Sequence, residues 1–354
     1  MQNRALFSEL EVELNYGWMR CVPTSNRQPD HPMATPSKSA VSAPDHPNPT
    51  RRRLNIALGL GSPLLFAALG ARAQTSGNTA LPPPPRFTQQ VEADSPLAGR
   101  ILGAGDRALT PEQLLGACAQ SSLCMLGEQH DHPDHHALQA WIIGALAQRG
   151  RLAAVALEMA ETGSRFDGPR DATEAAVRTA LRWNDGGWPW RLYSAPVMAA
   201  VRAGAPVAGV NLPQADLRAV MRDARWDATV PPDVRRRIID EVAESHCGLL
   251  PAAQLPAMAR IQFARDDSMA EHSRTLTRPG KIVVLLTGSF HANRTLGIAL
   301  HLDAEPIGVF SLLLQGLDAD TAARLPTGYD AVWFTPGTPP VDHCAELRKA
   351  MKGK

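Results

Sequence analysis

Two copies of one short pattern, Gly127-Glu128-Gln129-His130 and Gly288-Ser289-Phe290-His291, hold the residues best suited to chemistry in this chain. An imidazole can exchange a proton near neutral pH or bind a metal. Each copy ends an apolar run: Cys124-Met125-Leu126 leads into the first, and the β-branched stretch 282–287 leads into the second. Short apolar runs bounded by glycine are the mark of strands covered on both faces. Ligands of open α/β sheets bind outside the carboxyl ends of the strands. The two histidines are therefore expected at one shared site. Acids join them there. Glu128 lies inside the first motif, Glu158 follows the apolar stretch 153–157, Glu161 comes three residues later, and Asn211 ends the stretch 206–210. Glu, His, Glu, Asn and His delivered by separate strand ends would form a polar constellation on a rigid scaffold. Capping of the next helix is the competing role for such acids.

Further candidates surround the motifs. His130, His132, His135 and His136 crowd the start of a helix expected over about 133–149, with Pro133 suited to its first turn and Leu138, Trp141, Ile142 and Ala145 as its apolar stripe. A helix start leaves His132 and His135 facing solvent, whereas His130 ends the strand and His136 faces back toward it. Trp183, Trp188, Trp190 and Tyr193 concentrate aromatic rings in a chain with only 5% of them, which suits packing of a surface loop or a flat apolar ligand. Gln262, Arg265, Asp266 and Met269 share one helical face, where Arg265 could bind a carboxylate bidentately or pair with a buried acid.

The elements that must position these residues alternate. Strands are expected at 122–127, 152–158, 206–211, 281–287, 306–313 and 330–335. Helical patterns lie at about 133–149, 171–182, 194–204, 214–223, 231–246 and 252–277. Such alternation implies crossover connections and a mainly parallel sheet flanked by helices, an α/β fold in a single domain. The short stretch between the last two strands leaves room for an antiparallel edge there.

A formal net charge of +1, with 44% hydrophobic and 20% charged residues, is an ordinary globular balance and gives no basic excess for nucleic acid. The domain is expected over 95–345. Before it, 1–50 is a polar, Pro- and Ser-rich leader in which Met33 is an alternative start. The basic residues 51–53, the apolar stretch 54–69 and Ala71-Arg72-Ala73 describe a signal peptide over 51–73, cleaved before Gln74. Residues 74–94 read as a Pro-rich linker. No cysteine follows the apolar stretch, so a lipid anchor is not expected and a periplasmic location is. Cys118, Cys124, Cys247 and Cys344 permit disulfides there without fixing their pairing, and Cys124 equally suits a buried apolar position in its strand.

The segments GEQHDHPDHHALQ, ALEM, WPWRLY, GVNLP, HCGLLP, RIQFARDDSMA and TGSFHANRTLGIALHL, in that order over roughly residues 95–336, resemble the ChaN family of bacterial haem-binding uptake proteins, within the Tiki/TraB-like superfamily. The resemblance implies a homodimer with two porphyrins stacked at its interface, serving an outer-membrane haem uptake system. It also implies a tyrosine on the haem iron, with a histidine and a basic side chain on the propionates. Tyr193 is the favoured ligand over Tyr329, and His130, His136, Trp188, Trp190, Arg265 and His291 are the expected haem contacts. A second reading, drawn from hydrolases of the same superfamily, has His130 and His291 hold a divalent metal together with one of Glu128 and Glu158. In that reading the other of Glu128 and Glu158 is left as general base for a bound water.

Overall fold

The computed structural model describes residues 81–302, 307–319, 321 and 325–352. The leader and signal segments expected over 1–73 lie outside the described residues. Among the described residues the strands are β1 (Ile101–Gly103), β2 (Arg107–Leu109), β3 (Leu123–Glu128), β4 (Leu152–Glu161), β5 (Arg165–Phe166), β6 (Val207–Asn211), β7 (Ile282–Gly288), β8 (Val309–Gly316) and β9 (Ala331–Thr335). The helices are α1 (Pro111–Cys118), α2 (Pro133–Gln148), α3 (Glu174–Ala180), α4 (Trp190–Ala203), α5 (Leu217–Arg222), α6 (Pro232–Ser245), α7 (Leu255–Thr275), α8 (Ser289–Ala292) and α9 (His343–Lys352). None of them is long and apolar enough to cross a membrane.

All nine strands form one sheet in the order β2-β1-β9-β8-β3-β7-β4-β6-β5. Its centre is parallel, with antiparallel pairs at both edges, where β1 meets β2 and β9 and where β5 meets β6. Every residue of β3, β6 and β7 is buried. That is why these strands read as continuous apolar runs rather than alternating ones. The expected antiparallel pairing of the last two strands is corrected: β8 and β9 run parallel. Their connection, 317–330, is long enough for the crossover of about a dozen residues that a parallel pair needs. The antiparallel edges are instead made by β1, β2 and β5, which at two or three residues each carry no readable period.

Register sets the site. Pairing of β3 with β7 places Gly127 beside Thr287 and Glu128 beside Gly288, so the two G-x-x-H motifs leave adjacent strands one residue out of step. On the far side of β7, Leu157 of β4 pairs with Leu286, which brings Glu158 to the same edge. Helix α7 delivers the predicted face, since Gln262, Arg265, Asp266 and Met269 are all buried.

Part of the stretch expected as a linker packs onto the domain. The Asp134 carboxylate, in the first turn of α2, accepts from the backbone N–H groups of Thr88 and Gln89 and from the Thr88 hydroxyl. Trp141 donates its indole N–H to the carbonyl of Pro82, and Val91 bridges to Gly337. The four cysteines pair as Cys118–Cys124, tying α1 to the start of β3, and as Cys247–Cys344, tying the end of α6 to α9. Cys124 is thus buried and bonded at once. The second bridge closes a loop of 97 residues, a length at which cross-linking strongly restricts the unfolded chain. Replacing Cys247 and Cys344 together by serine should lower unfolding free energy by about 2–5 kcal/mol. Urea titration of the two proteins checks this, and coincident curves would show that the bridge constrains nothing.

Candidate functional site

Glu128 is the centre of the first half of the site. Its carboxylate is fully buried and accepts from the Tyr193 hydroxyl at 2.7 Å, from His130 Nδ1 at 2.9 Å and from the Gln139 side-chain amide. His136 Nδ1 stands 3.5 Å away, while its Nε2 bonds the backbone carbonyl of His130 at 3.0 Å. His136 and Gln139 come from the first two turns of α2, and Tyr193 comes from α4. The chain leaving β3 therefore turns back under its own next helix, so that one carboxylate gathers donors from three elements.

Glu158 is the centre of the second half. One of its oxygens accepts from the Thr287 hydroxyl and the Gly288 N–H, each at 2.7 Å, and the other lies 3.7 Å from His291 Nε2. His291 Nδ1 in turn meets Asp266 of α7 at 2.7 Å. Burial alone would raise Glu158, but the charges of His291 and His130, with the Gly288 and Thr287 donors, pull it down to about 2. Burial likewise works against the charged imidazoles. It is outweighed at His130 by the Glu128 hydrogen bond and the charge of Glu158, and at His291 by Asp266 and Glu158, so both titrate above the usual histidine value.

The glycines explain why the pattern occurs twice. A Cβ on Gly288 would lie 2.8 Å from His130 Nε2, and one on Gly127 would lie 2.8 Å from the Ala292 Cβ and 3.1 Å from the Ser289 Cα. Each glycine therefore makes room for the other motif. The strands are neighbours, and residues just past each strand end pack across the other motif's glycine.

The structure brings His130, His136, His291, Glu128 and Glu158 together as expected, and adds Asp266, Gln139 and Thr287. Asp266 shares the face of Arg265 on α7 and Gln139 lies one turn from His136, so spacing carried a signal for both. Thr287 was hidden inside an apolar run. Other expectations are corrected. His132 and His135 do not face solvent but are fully buried, their rings parallel with centroids 3.8 Å apart. The end of β9 covers them: the Pro336 carbonyl meets His132 Nε2 at 2.9 Å and the Thr335 hydroxyl meets His135 Nε2 at 3.1 Å. The divalent-metal reading finds no support, since among the described residues no group of three or more His, Cys, Asp or Glu side chains is placed to hold a metal ion. The carboxylates that would serve as ligands are held instead by Tyr193, Gln139, Thr287 and Gly288.

The aromatic stretch closes over this hub. Trp188 packs edge-on against His130, with ring centroids 4.9 Å apart, while Trp190 is buried against Trp183 and donates to Glu174. Beside Trp188 opens a cleft of about 200 Å³ at the ends of β4 and β6, lined by Glu158, Asn211, Leu212, Leu217 and Arg265 among others.

A family model described as haem-binding uptake, Tiki superfamily, ChaN matches residues 114–302, more than half of the chain. The chain belongs to this family. No match is found among curated protein sequences. Among solved structures, the fold is shared with ChaN of Campylobacter jejuni, described as binding haem cofacially, at 21% identity and a TM-score of 0.54. That likeness covers 66% of this chain and 95% of the other. The type III effector HopBA1 follows at 14% identity and TM-score 0.33, covering 64% of this chain and 92% of its own. A mutant erythromycin esterase in its open conformation gives 13%, 0.35, 68% and 82% respectively. At those TM-scores neither bears on function.

For this member of the ChaN family, haem does not fit the buried hub as the side chains stand. The cleft is smaller than the roughly 300–1,000 Å³ of pockets that enclose drug-sized ligands. Tyr193 is 0% exposed, and burial together with the adjacent Glu128 charge pushes its phenol well above the usual tyrosine value, which opposes a tyrosinate. The Tyr329 hydroxyl is taken by the carbonyl of Ser289.

The stacked imidazoles make the fold sensitive to acid. Burial lowers His132 and pushes His135 well below the ordinary value. The unfolded chain therefore takes up protons near pH 6.5 that the folded chain refuses, and stability falls as pH drops below that point. His130 and His291 act in the opposite sense, stabilising at low pH and losing that contribution as pH rises through their raised values. His135→Asn should flatten the decline in unfolding free energy between about pH 7 and pH 5. Parallel slopes for wild type and variant, measured by denaturant titration across that range, would contradict the assignment.

Proposed function

We propose that this protein binds haem and takes part in its uptake or transfer outside the cytoplasm. The observation that carries the reading is the family match, which spans both G-x-x-H strands, Glu158 and the aromatic stretch. Two disulfides suit an oxidising compartment, in keeping with the signal segment expected over 51–73 and with a periplasmic location beside an outer-membrane uptake system. The porphyrin lies against the outside of the cleft rather than within it. Trp183 and Trp188, both half-buried, supply apolar surface there, and such surface contributes about 25 cal/mol per Å² removed from water. A flat ligand on one open face leaves its other face wet. A second copy of the chain, giving the cofacial arrangement described for the Campylobacter protein, would cover it. In this reading Tyr193 is a positioning residue that holds Glu128 and, through it, His130.

Haemin titrated into the full chain should give a saturable Soret band at one haem per chain, with sedimentation shifting to a dimer on loading. Tyr193→Phe removes one donor from a buried carboxylate, so it should destabilise the fold by about 1–3 kcal/mol while leaving the Soret maximum in place. Absence of saturable binding would overturn the haem reading. A displaced Soret band in Tyr193→Phe would instead overturn the positioning role and make Tyr193 an iron ligand.

A further inference from the structure

One buried acid is served only by the chain that precedes the sheet. Asp134, in the first turn of α2, is 2% exposed, and among the described residues every hydrogen bond to its carboxylate comes from residues 88–89. The donors are the backbone N–H groups of Thr88 and Gln89 and the Thr88 hydroxyl. Seven residues along the same face of α2, the Trp141 indole N–H donates to the Pro82 carbonyl at 2.9 Å. The Trp333 ring of β9 meets Trp141 edge-on, with centroids 5.9 Å apart. Trp333 is 2% exposed, and its own indole N–H has no partner among the described residues. Between the two anchors run Pro82, Pro83, Pro84 and Pro85. Prolines fix φ and have no N–H to lose, so such a stretch is extended before it binds. Aromatic surfaces are what such chains dock on. Beyond Val91, which bridges Gly337, the strap rejoins the domain through Glu92, at φ 55° in a turn closed by Ala93 and Ser95. A non-glycine residue in that region is held against its own preference, so strain is stored where strap and domain join.

We propose that this face of α2 is a docking site for an extended, proline-rich segment of a partner protein, and that residues 82–91 occupy it in cis as an autoinhibitory strap. The strap shows the chemistry of the ligand: prolines and a carbonyl at Trp141, then two successive backbone N–H groups and a hydroxyl at Asp134. A carboxylate as buried as Asp134 cannot be left bare, so a strap that leaves must be replaced by another set of donors. The strap leaves the Trp333 N–H unpaired. A ligand with a further carbonyl there would fit better, which favours a foreign sequence over the strap of a second copy, since that would repeat the same contacts. A strap tethered in cis competes at an effective concentration on the order of millimolar, so a partner gains the site as the strap is loosened. The site depends on neither haem nor the cleft beside Trp188.

Hydrogen exchange in the wild-type full chain tests the release. The Thr88 and Gln89 amides should exchange at least tenfold faster than those of β3 and β7, which open only with the whole fold. A fluorescent peptide of residues 82–91 tests the recognition. Thr88→Pro removes both Thr88 donors from the strap and leaves Asp134 and Trp141 untouched, so this full chain should bind the peptide at least tenfold more tightly than wild type. Replacing the peptide's prolines by glycine should weaken binding at least tenfold, and Asp134→Asn in the Thr88→Pro chain should abolish it. Should a variant fail to fold, the exchange result and wild type titrated with both peptides up to millimolar concentration decide the matter. If haem-free wild type sediments as a dimer that the peptide dissolves, the occupant is the strap of a second copy and the separate partner is overturned. Exchange of Thr88 and Gln89 only at the rate of the sheet, or equal binding of the two peptides, would overturn the docking site itself.

Discussion

Two carboxylates buried at the same edge of a parallel sheet, one strand apart, are the constraint on which this structure turns. Glu128 ends β3 and Glu158 follows the last residue of β4 paired with β7, the one strand between them. Each is almost or wholly excluded from water. An unpaired carboxylate in that position would cost several kcal/mol even after relaxation, so the fold must bring cations and donors to it. The histidines of the two motifs meet that demand from opposite sides: His130 bonds Glu128 and adds its charge to Glu158, while His291 lies between Glu158 and Asp266. Close approach is possible only because the residue that begins each motif has no side chain. The glycines, acids and imidazoles form one device.

This device limits what the interior can do. A phenol that is held by Glu128, enclosed by Trp183, Trp188 and His136, and resistant to ionisation stabilises the acid. The acids that a divalent metal would need are held by side-chain and backbone donors. The hub is therefore better suited to fixing the shape of the cleft and of the aromatic stretch over it than to binding a large cofactor itself.

Much of this arrangement was legible in the sequence because parallel strands announce themselves. The runs around residues 123–128, 207–211 and 282–288 are apolar on both faces, and their glycines and acids mark where each strand stops. The shared site followed from topology, since carboxyl ends of crossover-linked strands gather at one edge. What could not be read depended on partners distant in the chain. His132 and His135 look like solvent-facing residues of a helix start, and only the arrival of Thr335 and Pro336 from β9 buries them. Tyr193 stands out in the sequence only for its aromatic company, and its hydrogen bond to Glu128, far back in the chain, could not be read from it. The edge strands β1, β2 and β5 were invisible because two or three residues carry no period, and the cysteine pairing was set by proximity that spacing does not encode.

The interlocking of the two motifs is tested most directly at Gly288. Its backbone, at φ −62° and ψ 152°, is one that any residue adopts, so alanine there adds only a methyl group. That methyl would meet His130 Nε2 at 2.8 Å, against a ring held by Glu128 and packed on Trp188. NMR titration of the His130 ring in wild type and Gly288→Ala reports the contact. Wild type should titrate above the ordinary histidine value, and the variant should fall back toward it as the ring leaves Glu128, with a matching loss of stability. An unchanged His130 titration and an unchanged unfolding midpoint in Gly288→Ala would contradict the interlock and the account built on it.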